Sequence, residues 1–259
     1  MTPLVHCVRH AQGEHNLGGD AYLIPDPKLT EVGIEECRAL ETRFPNHSSV
    51  ELIVSSPLRR TLQTALCSFQ PAIQRGVKII ALPELQETSD VACDTGRSIA
   101  EVQREFSQEN AGQQAAIIDF SLVEEGWNSK IGKWAPSSNA LIARARVARQ
   151  WLRKRPEKEL IVVCHGGFLH YLTQDWTGIK ADEHASAWQN CDFRSYQFAS
   201  SKDDDDAAMI ETDQSRQARG VADEKVPTKE GQDALYLATV QNWEDRGFQN
   251  PLKLNEQFK

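Results

Sequence analysis

The sequence has no run of apolar residues approaching the roughly 18 to 20 needed to span a bilayer, so no membrane-crossing helix is expected. It has no C-x-x-C pair. Its six cysteines (Cys7, Cys37, Cys67, Cys93, Cys164, Cys191) are scattered, several within apolar runs where cysteine behaves as a small hydrophobe. Reduced thiols are expected and a structural zinc site is not, since that site would take Cys or His ligands paired at short spacing. Positive charge is short as well: 29 Lys and Arg stand against 37 Asp and Glu, a formal charge of -8. Nucleic acid and anionic membranes would be repelled at long range, which leaves only local basic clefts for anions. There is no internal repeat. The first apolar run starts at Leu4, leaving no room for a signal peptide, so a soluble, cytoplasmic protein is expected.

What is present is enough apolar residue for a sizeable core: 259 residues, 40% hydrophobic, predict a single domain over 1–259. Four short runs read as strands covered on both faces: "LVHCV" (4–8), "ELIVSS" (51–56), "VKIIAL" (77–82) and "ELIVVCH" (159–165). Helical patterns separate them. "TEVGIEECRALETRF" opens with a capping Thr30, "PLRRTLQTALCSF" has Pro57 near its start, and "NALIARARVARQWLRKR" repeats apolar residues at helical spacing. This alternation predicts an α/β three-layer sandwich, a mostly parallel central sheet flanked by helices. Residues 88–139 break the rhythm with "CDTG" and "WNSKIGKWAPSS" and read as a cap-like insertion. The stretch 200–209, with its run of aspartates, reads as a mobile acidic loop, and "DALYLATVQNWEDRGF" resumes a helical pattern that packs back on the domain.

In a parallel sheet the carboxyl ends of the strands share one edge, where open α/β folds place their sites. The first strand ends in Arg9 and His10. The second leads through Ser55 and Ser56 to Arg59 and Arg60, the third through "LPELQE" to Glu87, and the fourth to His165 with Gly166 and Gly167. Two imidazoles, arginines and a carboxylic acid suit phosphoryl transfer without a metal. Arginine forks bind phosphate oxygens, a neutral imidazole attacks phosphorus, a second imidazole, protonated, stabilises the equatorial oxygens, and a carboxyl protonates the departing alcohol.

"VRHAQGEHN", "SSPLRRTLQTA", "LPELQE" and "VVCHGGFLH" occur in the order and approximate spacing of the histidine phosphatase superfamily, also called the phosphoglycerate mutase-like family. The chain resembles that family over most of residues 1–199. "CDTGRS", "WNSKIGKWAP" and "ETDQSRQARG" further resemble a fungal branch of it. The resemblance implies Arg9 as phosphate binder, His10 as nucleophile, Asn16 as a phosphate contact, Glu87 as general acid and His165 as the second phosphate-binding histidine. It puts the family arginine at Arg60, with Arg59 beside it leaving the register open. Ala11 stands where the family has glycine and Gly13 where it has a hydroxyl residue, which implies one phosphate contact fewer.

The expected activity is that of a metal-independent phosphatase acting on a small phosphorylated metabolite through a phosphohistidine, with no cofactor and no metal. A phosphomutase is the nearest alternative, disfavoured by "QETSDVACDTG" where mutases of the family have an "E-R-H-Y-G" type stretch. A phospho-ligand binding module or a domain recruited to other metabolism stays open too. Within the insertion, Trp127, Lys130, Lys133 and Trp134 are candidates to face the substrate with stacking surface and positive charge, against the alternative that the aromatics only anchor a loop. His6, His15, His170 and His184 are expected to be structural, Cys7 and Cys164 to be core, and Glu84 stays open as a second candidate acid.

Overall fold

The computed structural model describes residues 2–107, 118–179, 186–199 and 204–245. The four apolar runs form the middle of one sheet: β1 (Leu4–Arg9), β2 (Leu52–Ser55), β3 (Ile79–Ala81) and, after the edge strand β4 (Ile118–Asp119), β5 (Glu159–Cys164). Two further strands follow, β6 (Phe193–Phe198) and β7 (Met209–Glu211). The order across the sheet is β4-β3-β2-β5-β1-β6-β7. Strands β1 to β5 are mutually parallel, while β6 runs antiparallel to β1 and β7 antiparallel to β6.

Alternation along the strands divides the core in two. Val5, Cys7, Val54, Val162 and Cys164 face one layer, built from α5 (Ser138–Arg153), α6 (Gly166–Thr173) and α8 (Lys229–Asp245). Val8, Ile53, Ile79, Ile161 and Val163 face the other, built from α1 (Glu31–Arg43), α2 (Arg59–Ser68), α3 (Gln70–Gln74) and α4 (Ile99–Glu105). Both faces of the central strands are thus covered, which is why those strands read as unbroken apolar runs. A short α7 (Asp213–Ala218) follows β7. Thr30 caps α1 by accepting from Gly33 N at 3.0 Å, as expected.

The described parts of 88–139 pack on the edge of the sheet through a small cluster of Leu58, Ala81, Val123, Trp127 and Trp134. The acidic run is more than a solvated loop. Residues 200–203 lie outside the described residues, but from Asp204 on the chain forms a turn in which Asp204 accepts from Asp206 N and Ala208 N at 3.0 and 2.7 Å. Arg149 of α5 pairs with Asp206 at 2.9 Å, and Met209 already belongs to β7. Arg146, Arg149 and Arg153 of α5 face this turn, so part of its charge is neutralised by contact. Among the described residues, no helix is long and apolar enough to cross a membrane.

Candidate active site

The register of the sheet brings the strand ends together. β1 and β5 are neighbours with Arg9 level with Cys164, and the chain leaves both strands side by side: His10 N donates to Cys164 O at 3.0 Å. On the other flank of β5, Ser56 N donates to Val163 O at 3.0 Å. His10 and His165, 155 positions apart in sequence, therefore meet with ring centroids 5.2 Å apart.

His10 is buried and its tautomer follows from its contacts. Nδ1 donates to the carbonyl of Ala11 at 2.7 Å, so Nε2 keeps the lone pair, and Arg60 Nε donates toward it at 3.3 Å. Burial first, then the charges of Arg60 and Arg9, hold its pKa well below the ordinary histidine value. The pKa of His165 is also pushed far below the ordinary histidine value, by burial first and then by Arg60 and His10. Nε2 of His165 bonds Ser56 Oγ at 2.9 Å. Nδ1 of His165 and Nε of Arg9 are buried with no hydrogen-bond partner among the described residues, and for the Arg9 N–H, a donor in any state, that is a cost a bound anion would relieve. Arg9 is otherwise fixed by donating to the carbonyl of Trp188.

The double arginine separates cleanly. Arg60, fully buried, donates to Cys93 O at 2.6 Å and to Asp94 Oδ1 at 3.0 Å, and faces His10. Arg59 turns away to pair with Glu105 at 2.8 Å, and its backbone N–H donates to Asp26 at 2.9 Å. One residue further along α2 rotates a side chain by about 100° in a helix, enough to move it from the pocket to the flank.

Glu87 sits at the start of α6. Its carboxylate accepts from Gly167 N at 3.2 Å and from Phe168 N and Thr88 N, each at 2.9 Å. A Cβ on Gly167 would stand 2.8 Å from Oε1, so the glycine is what lets the carboxylate in. Burial and the nearby Asp94 raise its pKa, opposed by Arg60 and by the backbone donors. Its carbonyl accepts from Arg144 at 3.2 Å and from Lys130 at 3.4 Å. Glu84, by contrast, opens onto a shallow outer groove with Lys133, Trp134 and Trp151.

A family model described as histidine phosphatase superfamily, branch 1, matches residues 5–204, a span that includes every one of these groups. The chain belongs to the histidine phosphatase superfamily. A phosphoglycerate mutase-like protein of Arabidopsis thaliana is 30% identical over 237 residues, 74% of this chain and 82% of its own length. A probable phosphatase of Schizosaccharomyces pombe is 27% identical over 167 residues, 62% of this chain and 73% of its own. Among solved structures, the ecdysone phosphate phosphatase of Bombix mori, in complex with tungstate, aligns with a TM-score of 0.52 at 16% identity over 75% of this chain and 89% of that one, a likeness of fold.

Within this superfamily site, Ala11 is buried and its N–H donates to Thr64 Oγ1 at 3.0 Å. Asn16 Oδ1 accepts from Gly13 N at 3.0 Å, closing the loop that follows His10. His15 belongs to the site, which its sequence position did not reveal: its ring lies 5.4 Å from that of His10, and burial with Arg60 and Arg9 lowers its pKa to about 2. Gly13 is the missed signal, because a Cβ there would come within 2.9 Å of the His15 ring. His6 bonds Ser195 and Glu159 at 2.7 and 2.8 Å, and His170 bonds Asp175 O at 2.6 Å, both structural. His184 lies outside the described residues.

Of the four candidates Trp127, Lys130, Lys133 and Trp134, Lys130 is the one that reaches the residues gathered at the strand ends, bonding the Glu87 carbonyl. Its backbone is left-handed (φ 57°), unusual for a lysine, and burial beside Arg144 lowers its pKa to about 7. Trp127 and Trp134 are 1% and 8% exposed, so they anchor the insertion and offer no stacking surface. Lys133 lies outside, its ammonium 4.5 Å over the Trp134 ring.

Proposed function

We propose that the protein is a metal-independent phosphatase that hydrolyses a small phosphate monoester through a phosphohistidine at His10. The observation that supports this most is the His10 imidazole itself. It is neutral, locked by Ala11 O with Nε2 outward, and surrounded by cationic and N–H donors from Arg9, Arg60 and His165. In the first step Nε2 attacks phosphorus while the ester P–O bond breaks, and Glu87 gives its proton to the departing alkoxide. In the second step Glu87, now ionised, takes a proton from water; the water oxygen attacks phosphorus, the N–P bond breaks, and His10 returns neutral. Arg9, Arg60, His165 and the amide of Asn16 bind the phosphoryl oxygens, and the dianion draws His165 toward its charged form. The described parts of 88–139 act as the cap on the leaving-group side, with Lys130 facing the substrate. A mutase would share the first step, and the names of the plant relatives keep it as the second reading.

A panel of phosphorylated metabolites, assayed for phosphate release with chelator present, identifies the substrate. Rapid quenching with that substrate should then trap one acid-labile phosphate per chain on His10. Label on serine, cysteine or aspartate would remove this mechanism, and transfer to a second hydroxyl of the substrate in place of free phosphate would make the protein a mutase.

A further inference from the structure

The "CDTG" stretch of the insertion is not used by the mechanism above, yet it touches the centre of the site. Asp94 Oδ1 accepts from Arg60 Nη2 at 3.0 Å, and the preceding carbonyl, Cys93 O, accepts from Nη1 of the same guanidinium at 2.6 Å. The other oxygen of Asp94 accepts from Ser89 Oγ at 2.6 Å. A buried carboxylate thus stands inside a phosphate pocket, against the arginine that the phosphate needs. Anions repel there, so its presence calls for a compensating use.

Resting on the phosphatase reading, we propose that Asp94 is a positioning residue of the reaction, fixing the Arg60 guanidinium beside His10 and bringing a second negative charge into the pocket that holds Glu87. Two of the three guanidinium nitrogens of Arg60 are held by residues 93 and 94, which leaves Nε aimed at His10 and the remaining N–H bonds for phosphoryl oxygens. Glu87 needs the charge because its setting otherwise favours ionisation. Three backbone N–H groups, from Thr88 and from Gly167 and Phe168 of α6, point at its carboxylate. Arg60 of α2, Arg9 of β1, and Lys130 and Arg144 beside its carbonyl add positive charge. Burial opposes ionisation, and among the neighbouring charges Asp94 is the anion acting in the same direction, with the thiols of Cys93 and Cys164 nearby and uncharged. The insertion therefore delivers the counterweight from outside the four strand-end motifs.

The test is Asp94→Asn in the full chain, with phosphorylation of His10 followed in single turnovers across pH. The alkaline limb for an alkyl ester marks deprotonation of Glu87, and it should move to lower pH in Asp94→Asn. Nitrophenyl phosphate, whose leaving group needs no proton, should keep its wild-type pH profile. Carbon-13 NMR titration of the Glu87 carboxyl reads the same shift without relying on turnover. Asp94→Ser, neutral and smaller, replaces the Asn variant should that not fold, and Asp94→Glu should restore the limb. An unmoved limb and an unmoved titration overturn the role of Asp94 and leave the phosphatase reading intact. If Glu87→Gln itself slows alkyl and nitrophenyl esters equally, the acid role fails, and this inference falls with it.

Discussion

The Nε–H of Arg60 approaches Nε2 of His10 at 3.3 Å, directed at the lone pair that would attack phosphorus in the proposed reaction. In the ligand-free protein this contact orients the imidazole, whose pKa is held down by burial and then by the charge of Arg60, and in the proposed reaction a bound phosphate replaces it as the acceptor. Arg60→Ala should therefore lower the rate of His10 phosphorylation by roughly 10² to 10³-fold, the cost of removing one donor to the developing charge. Arg59→Ala should leave that rate within a few-fold of wild type. It loses a half-buried pair with Glu105, so its effect is a stability loss of about 0.5 to 1 kcal/mol, read by urea unfolding.

Glu87→Gln tests the proton donor. An alkyl ester should lose about 10² to 10⁴-fold in the first step, and nitrophenyl phosphate far less. Gly167→Ala should imitate the defect in part, since the new Cβ would stand 2.8 Å from Glu87 Oε1 and displace the carboxyl. Single-turnover kinetics on both substrates decide, and equal losses on the two would argue against Glu87.

Acid should destabilise the fold early. His10, His15, His165 and His170 are all held below the ordinary histidine value by burial, His170 at about 4. Below about pH 6.5 the unfolded chain takes up protons that the folded chain does not, so stability falls as pH drops. Each group's contribution to stability is fully present above pH 6.5 and falls by about 1.4 kcal/mol per pH unit below it, until the folded pKa is reached. Urea midpoints at pH 7.5, 6 and 5 measure the slope, and His15→Asn should flatten it. A midpoint constant down to pH 5 would contradict the buried, neutral histidines.

Chelation should leave activity unchanged, because Arg9, Arg60, Lys130 and Arg144 bring positive charge to the site from the chain itself. Phosphate release measured with and without excess chelator checks this. Stoichiometric loss, restored by one divalent metal, would contradict it.

Gly96→Ala should loosen the insertion. Its Cβ would fall 2.1 Å from the Trp127 ring, which is packed with Leu58 and Val123. Overpacking of this kind costs about 1 to 3 kcal/mol, so a lower melting temperature is expected, along with slower first-step chemistry as Asp94 and Lys130 shift together. A thermal melt with wild-type values would show that the loop gives way without strain.

The sheet centre was legible because β1, β2, β3 and β5 are buried on both faces, and burial on both faces writes itself as an apolar run. β6 escaped notice since it is half-buried and alternates, with Arg194 and Gln197 within it. β4 and β7 are two and three residues long, too short to show any period. His10, Arg9, Glu87 and His165 were legible for a chemical reason: each closes a strand or the turn after it, and parallel strands put those ends on one edge. Nothing in a linear spacing chooses between Arg59 and Arg60; the path of α2 past Asp26 does. Nor does spacing show that His15 turns inward, that Trp127 and Trp134 are anchors while Lys130 reaches Glu87, or that Asp94 crosses from the insertion to Arg60. The sequence by itself determined which chemical groups stand at the strand ends, because strand periodicity and chain order are local properties. Which of their neighbours point into the site, and with what charge, was decided only by tertiary packing, because burial and the distance between charges exist only once the chain has closed on itself.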